Sequence, residues 1–145
     1  MTIFPGMILV ATDGNRSSES AILAAAELSE KTGAEIHLIY VGEEITETST
    51  PRSQGSDADV GKKAQELLQE KSQTIDSAGG SVGRASVVPG KNPAREIVKL
   101  TRDEGVGMVV VGSRGLGPLQ YALRGSVSTY VVREAFCPVL VVRGD

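Results

Sequence analysis

One cysteine, one histidine, no tryptophan, three tyrosines and two phenylalanines are all that 145 residues supply of those types. A lone Cys137 excludes an internal disulfide, and without a Cys/His cluster a structural zinc site is excluded as well. So few aromatic rings furnish a base-stacking surface poorly. Basic residues are in deficit, 15 Lys+Arg against 18 Asp+Glu for a net charge of −3, which leaves no footprint for a nucleic-acid backbone. No apolar run approaches the roughly 18 residues that would suggest a membrane span. The opening MTIFPGMILVATDG has neither the charged region nor the cleavage site of a secretory signal. A cytoplasmic protein with no nucleic-acid or membrane partner is expected.

What is present is ordinary globular material: 40% apolar and 23% charged residues in a length that suits one domain, 1–145. Met7–Ala11 (MILVA) is a short apolar run ending in the turn and cap residues TDGNRSS, and reads as a buried strand. Ser17 or Ser18 is the expected cap of a helix with Ala21, Ile22, Ala25, Ala26 and Leu28 on its apolar side, ending at Gly33. Glu35–Val41 (EIHLIYV) reads as a second strand. The polar stretch that follows is expected to form a mobile loop over about 43–57. A long amphipathic helix is predicted from Asp57 to Ala78, stopped by Gly79-Gly80.

Ala85–Pro89 is a shorter third strand, and Asn92-Pro93 gives a cap and a first helical residue for a helix running to Gly105. Met108–Val111 is the fourth strand, a helix is expected from Ser126 to Ala135, and Pro138–Val142 (PVLVV) is the fifth strand. Strands that alternate with helices and read as continuous apolar runs predict a parallel α/β sheet covered on both faces. An open sheet of this kind reverses its strand order somewhere, and ligands bind at the carboxyl ends of the strands beside that reversal. With the first strand central, the loops meeting there are Thr12-Asp13-Gly14 and the segment VVVGSRGLGPLQYALRGSVSTYVV, residues 109–132.

That segment has the makings of a phosphate cradle. Gly112 and Gly115 allow main-chain N–H groups to approach an anion where a β-carbon would block it. Gly125-Ser126 opens a helix whose amino end favours negative charge. Ser126 or Ser128 could add a hydroxyl, and Arg114 or Arg124 a positive charge, although surface arginines are more often simply solvated. The Walker A string is absent, and the glycines are neither spaced nor placed for a dinucleotide fingerprint.

Gly112-x-x-Gly115, nine residues, then Gly125-Ser126 resembles the Gly-2x-Gly-9x-Gly-Ser/Thr nucleotide motif of the universal stress protein family. The first strand ending in Asp13, the run Gly-Ser-Arg-Gly-Leu-Gly and the closing Cys-Pro-Val-Leu-Val-Val agree with it. The resemblance spans essentially the whole chain. It implies a flavodoxin-like sheet of order 3-2-1-4-5 that binds ATP, or ADP or AMP, with Mg²⁺ or Mn²⁺ accompanying the phosphates. It also implies a homodimer acting as a stress-response switch or sensor. Carried over by position, Asp13 lies at the adenosine, the Val41 main chain offers hydrogen bonds to adenine, and Gly112, Ser113, Gly115, Gly125, Ser126 and Val127 lie around the ribose and phosphates. Thr12, Arg114 and Ser128 complete the candidate nucleotide-binding residues on their position in the two loops.

Bland roles compete at each position. Asp13 could cap a turn, Cys137 is expected to be a small buried hydrophobe, and His37, inside a strand, is expected to be structural. No general base is evident, so a catalytic residue is not assigned. A slow ATPase or autophosphorylating enzyme and a nucleotide-independent dimeric scaffold are the alternatives. An apolar fifth strand at the sheet edge invites pairing with a second copy.

Overall fold

The computed structural model describes residues 6–14, 16–42, 54–113 and 126–143, with only the backbone of 16, 17, 54–60 and 126. Among the described residues, five strands and four helices alternate: β1 (Met7–Ala11), α1 (Arg16–Thr32), β2 (Glu35–Gly42), α2 (Gln54–Ser77), β3 (Val82–Pro89), α3 (Pro93–Asp103), β4 (Met108–Gly112), α4 (Ser126–Glu134) and β5 (Val139–Val142). The strands form one parallel sheet in the order β3-β2-β1-β4-β5.

Side chains alternate across a strand, so a buried parallel strand must be apolar in both directions. Ile8 and Val10 of β1, Ile36 and Leu38 of β2 and Val110 of β4 pack with Ala21, Ile22, Ala25 and Ala26 of α1 and Leu68 and Ile75 of α2. Leu9, Ile39, Val109 and Val111 face the other way, onto Ala94 and Ile97 of α3 and Val131 of α4. The helices therefore divide in pairs, α1 with α2 on one face and α3 with α4 on the other.

Several boundaries differ from expectation. Helix α1 begins at Arg16, so Ser17 and Ser18 lie inside it, and the Ser18 hydroxyl turns back toward Thr12 Oγ1 at 3.4 Å. Helix α2 begins at Gln54, which makes 54–57 helical rather than loop. The rest of the expected loop, 43–53, lies outside the described residues. Strand β3 starts at Val82, earlier than expected, and its register shifts between Ile36↔Val82 and His37↔Arg84, leaving Gly83 as the extra residue of a bulge. Asn92 caps α3 as anticipated, its Oδ1 accepting from Arg95 N at 3.3 Å, with Pro93 following.

His37 is 2% exposed on the α3 face of β2. Its Nε2 lies 3.1 Å from Ser86 Oγ of β3, and its Nδ1 lies 3.1 Å from Glu104 Oε1 at the end of α3. Nδ1 is not aligned with that oxygen for a hydrogen bond, and Arg84 holds the same oxygen at 2.7 Å. The cluster is thus a clasp joining β2, β3 and α3, although its connectivity superficially resembles a nucleophile relay.

Burial, followed by the charge of Arg84, lowers the His37 pKa against the opposing pull of Glu104. The unfolded chain takes up a proton near pH 6.5 while the folded one still resists it. The stability contributed by neutral His37 is therefore full above about pH 6.5 and is lost as pH falls from there through the lower folded pKa. Urea unfolding between pH 7.5 and 5.5 should show that decline, and His37→Gln should flatten it. At Gly80 an added Cβ would meet Ile75 Cγ2 at 2.8 Å and Ala26 Cα at 3.0 Å, where α2 leaves against α1. Gly80→Ala should cost about 1–3 kcal/mol by urea unfolding.

Candidate functional site at the strand-order reversal

β1 pairs with β2 on one edge and β4 on the other, and the chains leaving β1 and β4 go to opposite faces, toward α1 and α4. A crevice opens between such diverging loops. The register Val10↔Val110, continued, brings Thr12-Asp13 level with Gly112-Ser113. On the other side Ala11 pairs with Ile39, and Thr12 N donates to Ile39 O at 2.8 Å.

That last bond fixes the direction of Val41. Along a strand the backbone polar groups of successive residues point to alternate edges. Ile39 O faces β1, while Gly42 O faces β3, where it accepts from Gly90 N at 2.9 Å. The N–H and C=O of Val41, between them, accordingly point to the β1 side, past the end of β1, where the chain has turned away into Asp13-Gly14. Val41 thus presents its main chain to the crevice while its side chain packs on the α3 face.

Thr12 and Asp13 behave differently from each other. Thr12 is 3% exposed, its Oγ1 accepting from Gly14 N at 3.2 Å, and Asp13 beside it is exposed. Gly14 takes φ +83°, a left-handed conformation that carries the chain from the strand into α1. Leu67 of α2 approaches this turn, 3.6 Å from where a Cβ on Gly14 would stand.

On the β4 side, Ser113 N donates to Val142 O at 2.8 Å, so this amide serves the sheet and is not a donor to a ligand. Arg114, Gly115 and Gly125 lie outside the described residues, as does Arg124. Helix α4 runs back along the sheet, which puts its amino end, beginning at Ser126, at the carboxyl ends of the strands. Val127 packs on the α3/α4 core and Ser128 is buried.

Thr12, Asp13, Val41, Gly112, Ser113 and the start of α4 therefore come to one end of the sheet. His37 does not: four residues before Val41, it stands about 13 Å away along the strand. Its partners Ser86 and Glu104 escaped sequence reasoning because the Gly83 bulge hides the register that joins them. Cys137 is half-buried, and burial pushes its thiol above the usual range, against a hydrogen bond with the Val109 backbone. No group of three His, Cys, Asp or Glu among the described residues could hold a metal ion. None of the described helices is long and apolar enough to cross a membrane.

Solved structures share this architecture. A universal stress protein crystallised in complex with cAMP matches with a TM-score of 0.72 at 24% identity, over 95% of this chain and 96% of that one. The universal stress protein of Archaeoglobus fulgidus in complex with dAMP matches with a TM-score of 0.67 at 21% identity, over 95% and 98% of the two chains. At these identities the likeness concerns the fold. In sequence, the universal stress protein YxiE of Bacillus subtilis is 31% identical over 146 residues, which cover 94% of this chain and 97% of YxiE. The family model of universal stress proteins matches residues 6–143, and the chain belongs to that family.

Proposed function

We propose that the chain binds an adenine nucleotide, ATP or its products ADP and AMP, in the crevice between the β1 and β4 loops, and that occupancy switches its interactions with other proteins. The observation that carries this reading is the meeting of an exposed Asp13, the crevice-facing main chain of Val41 and the origin of the glycine motif at Gly112. Val41 would hydrogen-bond the adenine edge and Asp13 the adenosine. The residues from Gly112 and Ser113 through Arg114, Gly115 and Gly125 to Ser126, Val127 and Ser128 would enclose ribose and phosphates. The amino end of α4 would contribute its dipole. The cAMP and dAMP complexes of structurally similar family members support the choice of an adenine ligand.

Mg²⁺ or Mn²⁺ would enter with the phosphates, taking its ligands chiefly from them and from water. Such an ion would neutralise phosphate charge, whereas the protein residues bind and orient. The chain's one histidine stands at the other end of the sheet, so a positioned imidazole base is lacking and binding outweighs turnover. The reading places the protein in the cytoplasm as a stress-response switch or sensor.

A homodimer through β5 completes it. β5 is an edge strand, Val141 is exposed on it, and Val132 and Phe136 at the end of α4 are 55% and 64% exposed. Antiparallel pairing of two copies would cover this apolar edge.

Denaturing the purified protein should release an adenine nucleotide, and the emptied protein should bind ATP by calorimetry. Gly115→Val should weaken that binding at least tenfold while preserving the fold by circular dichroism; unchanged affinity would remove the glycine loop from the phosphate site. Val141→Lys should convert a dimer to a monomer on sizing. Leu140 is the poorer choice because it packs on the α1/α2 core.

A further inference from the structure

We infer that Thr12 is a positioning residue of the site: its hydroxyl locks the turn that presents Asp13, instead of touching the nucleotide itself. The inference rests on the proposed nucleotide reading for its functional part and on geometry for the rest.

Thr12 is held at both ends. Its backbone N–H is committed to Ile39 O at 2.8 Å, which extends the β1–β2 ladder one residue beyond the last strand residue. Its Oγ1 takes the amide of Gly14 at 3.2 Å and lies 3.4 Å from Ser18 Oγ. The first of these side-chain contacts bridges residue 12 to residue 14 across Asp13, a local turn closed by a hydroxyl. The second reaches from the end of β1 to the first turn of α1. One buried oxygen thereby connects a strand, a left-handed glycine and a helix.

The geometry separates the jobs of the two neighbours. At 3% exposure, with Oγ1 already engaged, the Thr12 side chain has little surface to offer a ligand. Asp13 is exposed, and the bond across it limits the directions its side chain can take. A carboxylate held in place before binding loses less freedom when a ligand arrives. The left-handed backbone at Gly14, φ +83°, is the conformation in which its amide meets Oγ1, so the glycine and the threonine act together.

A group acting through Asp13 leaves a signature that a merely structural group does not. Thr12→Val keeps the shape and loses the hydroxyl; Thr12→Ala, which loses it without added bulk, serves if the valine variant fails to fold. Thr12→Ser restores the hydroxyl. ATP affinity, measured by calorimetry on protein freed of nucleotide, should fall about tenfold in Thr12→Val or Thr12→Ala and return to within about threefold of the parent in Thr12→Ser. In an Asp13→Ala background the same removal should change affinity less than twofold, because the group it positions is gone. Equal losses in both backgrounds, or no recovery with serine, would overturn the assignment.

A second readout needs no ligand. The Gly14 amide should exchange with solvent at least tenfold faster in Thr12→Ala than in the parent or in Thr12→Ser. Equal protection in all three would show that the clasp does not exist in solution. A parent protein that binds no ATP but shows the exchange difference would leave the clasp standing and remove its function along with the nucleotide reading.

Discussion

The two-sided pairing of β1 is the constraint on which the rest of the molecule depends. A strand hydrogen-bonded on both edges and covered on both faces takes a polar side chain only where partners are built for it, as at His37 of β2, and Ile8, Leu9 and Val10 of β1 are apolar throughout. Because its neighbours are β2 and β4, the connection after β1 and the connection after β4 must cover opposite faces. In open sheets of this kind the common end of two such connections is where a crevice forms. Thr12, Asp13, Val41, Gly112 and Ser113 lie at that end, which is set by strand order before any particular side chain is considered.

Polar groups at the border are sorted by which way the backbone happens to point. Val41 turns its amide and carbonyl toward the crevice only because Gly42 is turned toward β3. Thr12 is turned in and Asp13 out by the alternation of a strand that has just ended. These are properties of the sheet rather than of the residue types, and they allow a valine with an unremarkable side chain to serve in the proposed site.

The central strands, the division of helices between faces and the meeting of Thr12-Asp13 with Gly112-Ser113 were legible in the sequence, because buried strands are written in runs of apolar residues and the glycine spacing is specific. Less legible were features governed by the edge of the sheet or by long-range contact. The start of β3 was obscured because Gly83, Arg84 and Ala85 are exposed on an outer strand and carry no apolar signal. The His37 clasp assembles three elements distant along the chain, across a bulge that shifts the register. Ser17 and Ser18 have the composition of helix caps, yet the helix begins before them and Ser18 is drawn to Thr12. Cap propensity is a local preference shared by several residues of this polar turn, and composition alone does not choose among them.

The bond from Ser113 N to Val142 O closes the distance between two regions that otherwise look remote. Ser113 is the last described residue before the glycine loop, and Val142 ends the outermost strand of the sheet. The backbone at the mouth of the crevice is thus anchored to the strand that a second copy would grip. A shift of β5 by about an ångström must move that amide with it or break the bond. The periphery of the sheet and its interior opening are, mechanically, a single piece.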